Sequence, residues 1–330
     1  MDKRDRIRGC VLGLACGDAL GAPVEFLGQS QLIAKYGLDG VTELESCFGV
    51  MGAYTDDTQM SLATARGVVA ARDRDKRYKG RGYVDPTPYI YTEYVEWMIT
   101  QIEDDKARRG PGNTCTGSLL SGIAGHVKAP INTSKGCGGV MRVAPIGLVY
   151  KREEAWRYGC ASAALTHGHV GGYLPAGALA VMLTRILTQA DILSTSWAVA
   201  KVHVEGYLHE EGARHFLFLM KQAEHYALRF KESAWTDEMN MRKLGAGWTG
   251  DEALAMAYYC ALRHPADLRR AVQMAVHLSG DRDSVGSICG ALMGALCGVE
   301  AVPRTWLDRV ENRKLLETTA EQLHQRSMLT

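Results

Sequence analysis

None of the nine cysteines (Cys10, Cys16, Cys47, Cys115, Cys137, Cys160, Cys260, Cys289 and Cys297) forms a CxxC pair, so the chain lacks the usual sequence mark of a zinc site or a disulfide framework. They read as small buried thiols of a protein kept in a reducing compartment. An excess of one charge is lacking too. The net charge is +1, from 38 basic and 37 acidic residues, whereas phosphate-backbone binding wants a concentrated basic face; no nucleic-acid partner is expected. The locally basic stretch RDRDKRYKGRG (72–82) is expected to be a solvated loop. The apolar run VGSICGALMGALCGV (285–299) is shorter than the ~20 residues a spanning helix needs and is bounded by Asp283 and Glu300. At the start of the chain, MDKRDRIRGCVLGLACGDALG has basic residues before an apolar patch, but Asp2, Asp5 and above all Asp18 interrupt any secretory signal. A cytoplasmic protein with no membrane contact is expected. Strictly alternating β-branched runs are nearly absent. So are the GxxxxGK[ST] loop and a GxGxxG following a strand, which excludes the nucleotide folds built on them.

What is present is helical. At 330 residues and 46% hydrophobic the chain can bury a large core. Apolar residues recur at helical spacing in LPAGALAVMLTRILTQ (174–189), FLFLMKQAEHYALRF (216–230), GDEALAMAYYCALRH (250–264) and DLRRAVQMAVHLS (267–279). With no Pro/Ser-rich linker and no repeat array, the pattern predicts one all-α domain over 1–330, with surface excursions at 72–88 and 231–247. The tail after Pro303, RTWLDRVENRKLLETTAEQLHQ, reads as one last amphipathic helix.

Glycine recurs every fourth residue in two segments, at Gly9, Gly13, Gly17 and Gly21 and again at Gly286, Gly290, Gly294 and Gly298. A four-residue spacing draws a bare stripe along one helix face. Each helical glycine costs ~1 kcal/mol relative to alanine, so eight of them point to close helix packing. If the two stripes pack on each other, Glu25 is brought toward Asp281.

That aspartate belongs to one of two acidic clusters. YTDDTQM (54–60) sets Asp56 and Asp57 side by side between threonines, and SGDRDSVGS (279–287) sets Asp281, Asp283 and the Ser284 hydroxyl at another helix start. Each is a good helix-capping sequence by itself. Together they supply the oxygen donors of a hard-cation cage. Two glycine-rich stretches, RRGPGNTCTGS (108–118) and NTSKGCGGVMRVAPIG (132–147), offer loops that can approach phosphate oxygens, and LTHGHVGG (165–172) offers His167 and His169.

In chain order, GCVLGLACGDALGAPVEF, YTDDTQM, SKGCGGVMRVAPIG, LTHGHVGG, GWTGDEALAMAYYCAL and GDRDSVGSICGALMGAL resemble the ADP-ribosylglycohydrolase family, the ADP-ribosyl-acceptor hydrolases, which includes the dinitrogenase reductase-activating glycohydrolase. The resemblance spans roughly residues 7 to 300. It implies a compact all-α protein with a binuclear cleft holding two Mg2+ or Mn2+ ions. On the matching positions it implies Thr55, Asp56, Asp57, Asp281, Asp283 and Ser284 as metal ligands, and Glu25 as a glutamate at the metals that moves on substrate binding. Ser134, Lys135, Gly136, Cys137, Gly138 and Gly139 match a diphosphate-binding turn, Gly110 and Gly112 the opposing glycine loop, and His167 a histidine lining the ribose pocket.

The chemistry implied is hydrolysis of ADP-ribose from modified protein side chains. The metals seat the ribose, and Glu25 and Asp57 assist the water or the leaving group. An arginine linkage is favoured, and immunity against a cognate ADP-ribosyltransferase toxin is compatible with it. Hydrolysis of serine-linked ADP-ribose, or of a small ADP-ribose conjugate, is the alternative; a catalytically silent binding or structural relative is another. Three departures from the family pattern stand out. Ser284 replaces a usual threonine, Lys135 and Cys137 replace aromatic and asparagine residues of some relatives, and Arg282, between two aspartates, is expected to point outward or toward substrate.

Overall fold

A computed structural model describes residues 1–77, 84–189, 192–229, 236–277 and 280–328. Among the described residues run sixteen α-helices. The first eight are α1 (Lys3–Gly21), α2 (Gln29–Tyr36), α3 (Asp56–Arg77), α4 (Thr87–Glu103), α5 (Asn113–Leu120), α6 (Ala144–Val149), α7 (Arg152–Ala164) and α8 (Val170–Gln189). The second eight are α9 (Leu193–Glu205), α10 (Glu211–Leu228), α11 (Asp237–Leu244), α12 (Gly250–Arg263), α13 (Leu268–His277), α14 (Arg282–Cys297), α15 (Arg304–Leu307) and α16 (Arg313–Ser327). The sheet among these residues is a two-stranded antiparallel ribbon, β1 (Ser46–Cys47) and β2 (Val50–Met51), with Ser46 opposite Met51. The fold is all-α.

The glycine stripes face each other. α1 and α14 run antiparallel through the core with main chain against main chain: a Cβ on Gly9 would lie 2.2 Å from Gly294 O, one on Gly13 2.4 Å from Gly290 O, and one on Gly17 2.1 Å from Gly286 O. No side chain fits there. The last glycine of the first stripe, Gly21, abuts Asp283, so the end of α1 is fixed beside the start of α14. Helices α3, α8, α12, α13 and α16 close around this pair. α13 shows the ordinary way of doing so, burying Leu268, Ala271, Val272, Ala275 and Val276 at helical spacing. Two helical segments, Lys3–Val24 and Val170–Gln189, are long and apolar enough to cross a membrane, but 83% and 89% of their apolar windows are buried inside the protein. All nine cysteines are unpaired; six are buried, and Cys47, Cys137 and Cys297 are half-buried.

Several expectations need correction. The excursion at 72–88 is not all loop: α3 continues to Arg77, and Arg72 and Asp75 are buried and joined at 3.3 Å, with Asp75 also accepting from Val84 N–H at 2.6 Å. Residues 78–83, in the middle of that stretch, lie outside the described residues. Of the stretch 231–247, residues 231–235 lie outside the described residues, whereas α11 buries Asn240, Met241 and Leu244. The ends of two expected helices, at 230 and at 278–279, also lie outside them. The tail is two helices and not one. The chain turns at Asn312 (φ 51°), a residue type that tolerates the left-handed region, and Glu311 N–H donates to Gly52 O at 3.0 Å. The glycine-rich stretches are partly regular, holding α5, α6 and a short 3-10 turn at Cys137–Gly139.

Candidate active site

Three helix ends meet where α1 and α14 leave the core. From α1 comes Asp18, fully buried. Its Oδ1 accepts from the Thr55 N–H and hydroxyl at 2.9 and 2.8 Å, and its Oδ2 from the Thr58 N–H and hydroxyl at 2.9 and 2.5 Å. That grip fixes the first turn of α3, where Asp56 and Asp57 stand. Asp56 is tied to the loop before α5: its N–H donates to Arg109 O at 3.1 Å, and its Oδ2 accepts from Gly112 N–H at 3.2 Å. From α14 come Asp281, whose side chain caps the helix by accepting from Ser284 N–H, then Asp283 and Ser284. The Ser284 hydroxyl donates to Asp57 Oδ2 at 3.3 Å and so joins two clusters 227 residues apart. Glu25 completes the group: one oxygen each of Glu25, Asp281 and Asp283 lie within 4.8 Å of one another.

Six acids thus crowd one end of the helix pair. Two helix N-termini face them, each favouring an anion by roughly 0.3–1 kcal/mol, far too little to offset burial of so many carboxylates. Burial raises every one, and repulsion from neighbouring carboxylates adds to it for all but Asp283: Asp18 goes to about 7, Glu25 to about 10 under the charges of Asp283, Asp281, Asp56 and Asp18, and Asp56, Asp57, Asp281 and Asp283 move in the same direction. Asp57 Oδ1 is buried and has no hydrogen-bond partner. The donors here are carboxylates and hydroxyls, one lone pair set is unmatched, and the field is strongly negative; the residues fit hard divalent cations.

The acids form the floor of a cleft of about 400 Å3. One wall is the 110–113 loop and the start of α5, whose N-cap, Gly112, offers no side chain to the helix N–H groups; Asn113, Thr114 and Cys115 line the cleft. Gly110 there has φ +72°, the left-handed region. The opposite wall is the turn of Gly136, Cys137 and Gly138. It passes so close to His167 that a Cβ on Gly138 would lie 2.8 Å from the ring and equally close to Cys115 Sγ. His167 Nδ1 is 2.8 Å from the Thr166 hydroxyl, which accepts from the buried Arg142 at 2.7 Å. Burial first, and Arg142 second, push His167 down to about 3, so it is a neutral ring at physiological pH. The Cys137 thiol lies 2.8 Å from Asp281 Oδ2 and ties this wall to the floor. At the mouth, Phe26 and Trp248 stack nearly parallel, with centroids 6.4 Å apart and planes at 17°.

The structure therefore gathers Glu25, Asp56, Asp57, Gly110, Gly112, Gly136, Cys137, Gly138, His167, Asp281, Asp283 and Ser284 around one cleft. Four expected site residues do not line it. Thr55 lies behind the acids and holds Asp18; Ser134 bonds Thr114 and Gly136 N–H; Lys135 is exposed, with its carbonyl accepting from Gly250 N–H; and Gly139 packs on Ala163. His169 also turns away, its Nδ1 accepting from Gly171 N–H at 3.0 Å. Arg282 points neither outward nor into the cleft; it is buried against the 24–27 turn because carbonyls there need donors. The residues that sequence reasoning missed are Asp18, Arg142, Phe26 and Trp248. Asp18 had a signal, a lone acid in a bare apolar helix. The other three had none.

A family model described as ADP-ribosylglycohydrolase matches residues 1–329. Among curated relatives, the ADP-ribosylhydrolase ARH3 of Mus musculus is 28% identical, over 97% of this chain and 91% of its own. An ADP-ribosylarginine hydrolase of Pseudomonas putida (strain GB-1) is 25% identical, over 98% of this chain and 79% of its own. A solved structure titled "ADP-ribosylglycohydrolase-related protein complex" has the same fold, with a TM-score of 0.68, 24% identity and coverage of 99% of both chains.

Proposed function

The chain belongs to the ADP-ribosylglycohydrolase family and is a metal-dependent ADP-ribosyl hydrolase, and from that premise we propose that it frees ADP-ribose from modified arginine side chains of proteins in the cytoplasm. The observation that carries the reading is the unpartnered Asp57 Oδ1 among acids that all hold protons too tightly, at the floor of a cleft walled by two glycine loops. Asp56, Asp57, Asp281, Asp283 and Ser284, with Glu25 beside them, are the proposed holders of two Mg2+ or Mn2+ ions. Thr55 supports them from behind through Asp18. When bound, such ions supply Lewis-acid positioning of the ribose hydroxyls and of a water. The arginine linkage is supported by the Pseudomonas relative, which is named as an ADP-ribosylarginine hydrolase, and by the aromatic pair at the mouth, since guanidino groups stack on aromatic faces.

Each side chain then has a task. The uncapped start of α5 and the Gly136–Gly138 turn face the diphosphate from opposite sides, and neutral His167 presents a ring to the ribose without adding charge. Asp57 Oδ1 accepts a proton from the water that attacks the anomeric carbon. As the C–N bond breaks, positive charge grows on the sugar, and the surrounding carboxylates stabilise it. Glu25, whose carboxylate lies within 4.8 Å of those of Asp281 and Asp283, relays the proton taken from the water to the leaving guanidino nitrogen. The products are ADP-ribose and an unmodified arginine. Where that arginine belongs to the target of a cognate ADP-ribosyltransferase toxin, the same reaction confers immunity.

A release assay tests the reading. Arginine-linked and serine-linked ADP-ribosylated proteins, and a small ADP-ribose conjugate, are incubated with Mg2+, with Mn2+ and with a chelator. Metal-dependent release from the arginine linkage is expected. Release from serine alone, or from the small conjugate alone, overturns the linkage, and no release from any of them overturns the enzymatic reading.

A further inference from the structure

Arg282 separates the two aspartates at the start of α14 and is 1% exposed, yet its hydrogen bonds go to no carboxylate. Nη1 donates to the carbonyls of Val24 at 2.6 Å, Leu27 at 2.5 Å and Glu25 at 3.3 Å, and Nη2 donates to Gln29 Oε1 at 3.4 Å. These carbonyls belong to the turn that follows α1, where the chain has run out of helical donors and a cation is favoured. The turn carries Glu25 between Val24, which is fully buried in the core, and Leu27, which packs against it, but none of these contacts touches the Glu25 carbonyl. Phe26, the next residue, is 81% exposed, and within the turn Leu27 N–H donates to Val24 O at 3.0 Å. Glu25 nevertheless stays with its carboxylate within 4.8 Å of those of Asp281 and Asp283, against their repulsion.

We propose that Arg282 is a positioning residue that holds the 24–27 turn against the first turn of α14 in the resting protein, so that Glu25, Asp281 and Asp283 stand together as one donor set before any cation or substrate arrives. The inference rests on reading those acids as the metal centre. Its chemistry is specific. An arginine paired directly with Asp281 or Asp283 would occupy the oxygens a cation needs; one bonded to main-chain carbonyls restrains Glu25 and leaves all three carboxylates available. A planar guanidinium can span three carbonyls and an amide oxygen, whereas a lysine ammonium, a point donor, cannot.

The test uses the full chain, metal-free and with Mn2+, as wild type, Arg282→Lys, Glu25→Gln and the double variant. Amide hydrogen exchange of the peptide covering 24–28 reads the restraint, and calorimetry with Mn2+ reads the donor set. In Arg282→Lys, exchange at 24–28 is expected to rise about tenfold while α8 stays protected, and Mn2+ affinity to fall about tenfold, the low end for loss of a residue that supports a ligand. In the Glu25→Gln background the same change is expected to leave Mn2+ affinity where it was, because Arg282 acts through Glu25. Unchanged exchange at 24–28, or an equal loss of affinity in both backgrounds, overturns the proposal. Should Arg282→Lys fold poorly, Gln29→Ala, which removes only the outer contact, must show the same exchange signature in weaker form or the proposal fails. If the wild type binds no Mn2+, the metal reading falls, while the exchange arm still judges the restraint.

Discussion

The two ends of the α1–α14 pair are built from the same device and used differently. At one end Arg6, on α1, donates to the last carbonyls of α14, Ala295 O and Leu296 O, at 2.9 and 3.0 Å; at the other Arg282, on α14, donates to the carbonyls beyond α1. Each helix caps its antiparallel partner with an arginine. The acids make the difference. At the Arg6 end, Asp2 caps α1, Asp5 accepts from Val299 N–H at 3.2 Å, and Arg4 meets Glu321 at 2.8 Å, so each charge has a complement. At the Arg282 end, Asp18, Glu25, Asp281 and Asp283, with Asp56 and Asp57, are buried together and all hold protons more tightly than free carboxyls do. The symmetric seam gives stability at both ends, and the asymmetric charge turns one of them into a site.

The strongest way to break the comparison is to part the helices. In Gly290→Ala the new Cβ would stand 2.0 Å from Gly13 O, a main-chain atom that cannot turn aside. A loss of about 3 kcal/mol, the upper end of overpacking, is expected in urea unfolding, together with lower Mn2+ affinity, because the seam sets the register of the acids. Gly117→Ala is the control: this helical glycine has nothing within 4 Å, so alanine should stabilise by up to about 1 kcal/mol. Next in size is Asp57→Asn. Turnover should fall at least the roughly 100-fold that loss of a ligand's supporting residue can cost, while the metal-free melting temperature rises, because one buried like charge is gone. A fall in metal-free stability would mean that Asp57 is held by partners the structure does not give it.

The fold was legible where one residue type did one job. The four-residue glycine rhythm predicted helices whose backbones touch, and Gly13 against Gly290 is that contact. The two acidic clusters were expected to converge, and the hydrogen bond from Ser284 to Asp57 joins them. What escaped depends on long-range context. Asp18 looked like an interruption of an apolar run until the structure placed Thr55 and Thr58 against it. Arg72 looked solvated because its neighbours are charged, but its burial is decided by the Tyr150 ring it covers at 5.6 Å. Nor does local sequence reveal which way Arg282 turns, since the carbonyls that receive it lie more than 250 residues away.

Protons offer a gentler probe of the crowded end. A carboxyl raised in the folded state keeps a proton that the unfolded chain has already released. Its stabilising effect is therefore full below the unfolded value and is lost as pH climbs to the folded one. For Asp18 that window runs from 3.8 to about 7, and for Glu25 from 4.5 to about 10. Metal-free protein should thus melt at steadily lower temperature as pH rises through neutrality, and saturating Mn2+ should flatten or reverse the slope, because the cation replaces the protons. A metal-free melting temperature that rises across the same range would show that the acids are compensated in some other way.

The smallest effect is expected at the other end. Arg4 and Glu321 form an exposed pair, with side chains 58% and 34% accessible, so water screens them well. Glu321→Ala should cost no more than about 1 kcal/mol and leave kcat/KM and Mn2+ affinity unchanged. The near-zero value is informative because α1 connects this pair to Asp18 through a seam of direct backbone contacts. If trimming a surface carboxylate there weakened metal binding, the seam would be transmitting strain along its length. The two ends would then be one coupled unit, with stability and function no longer assigned to opposite termini.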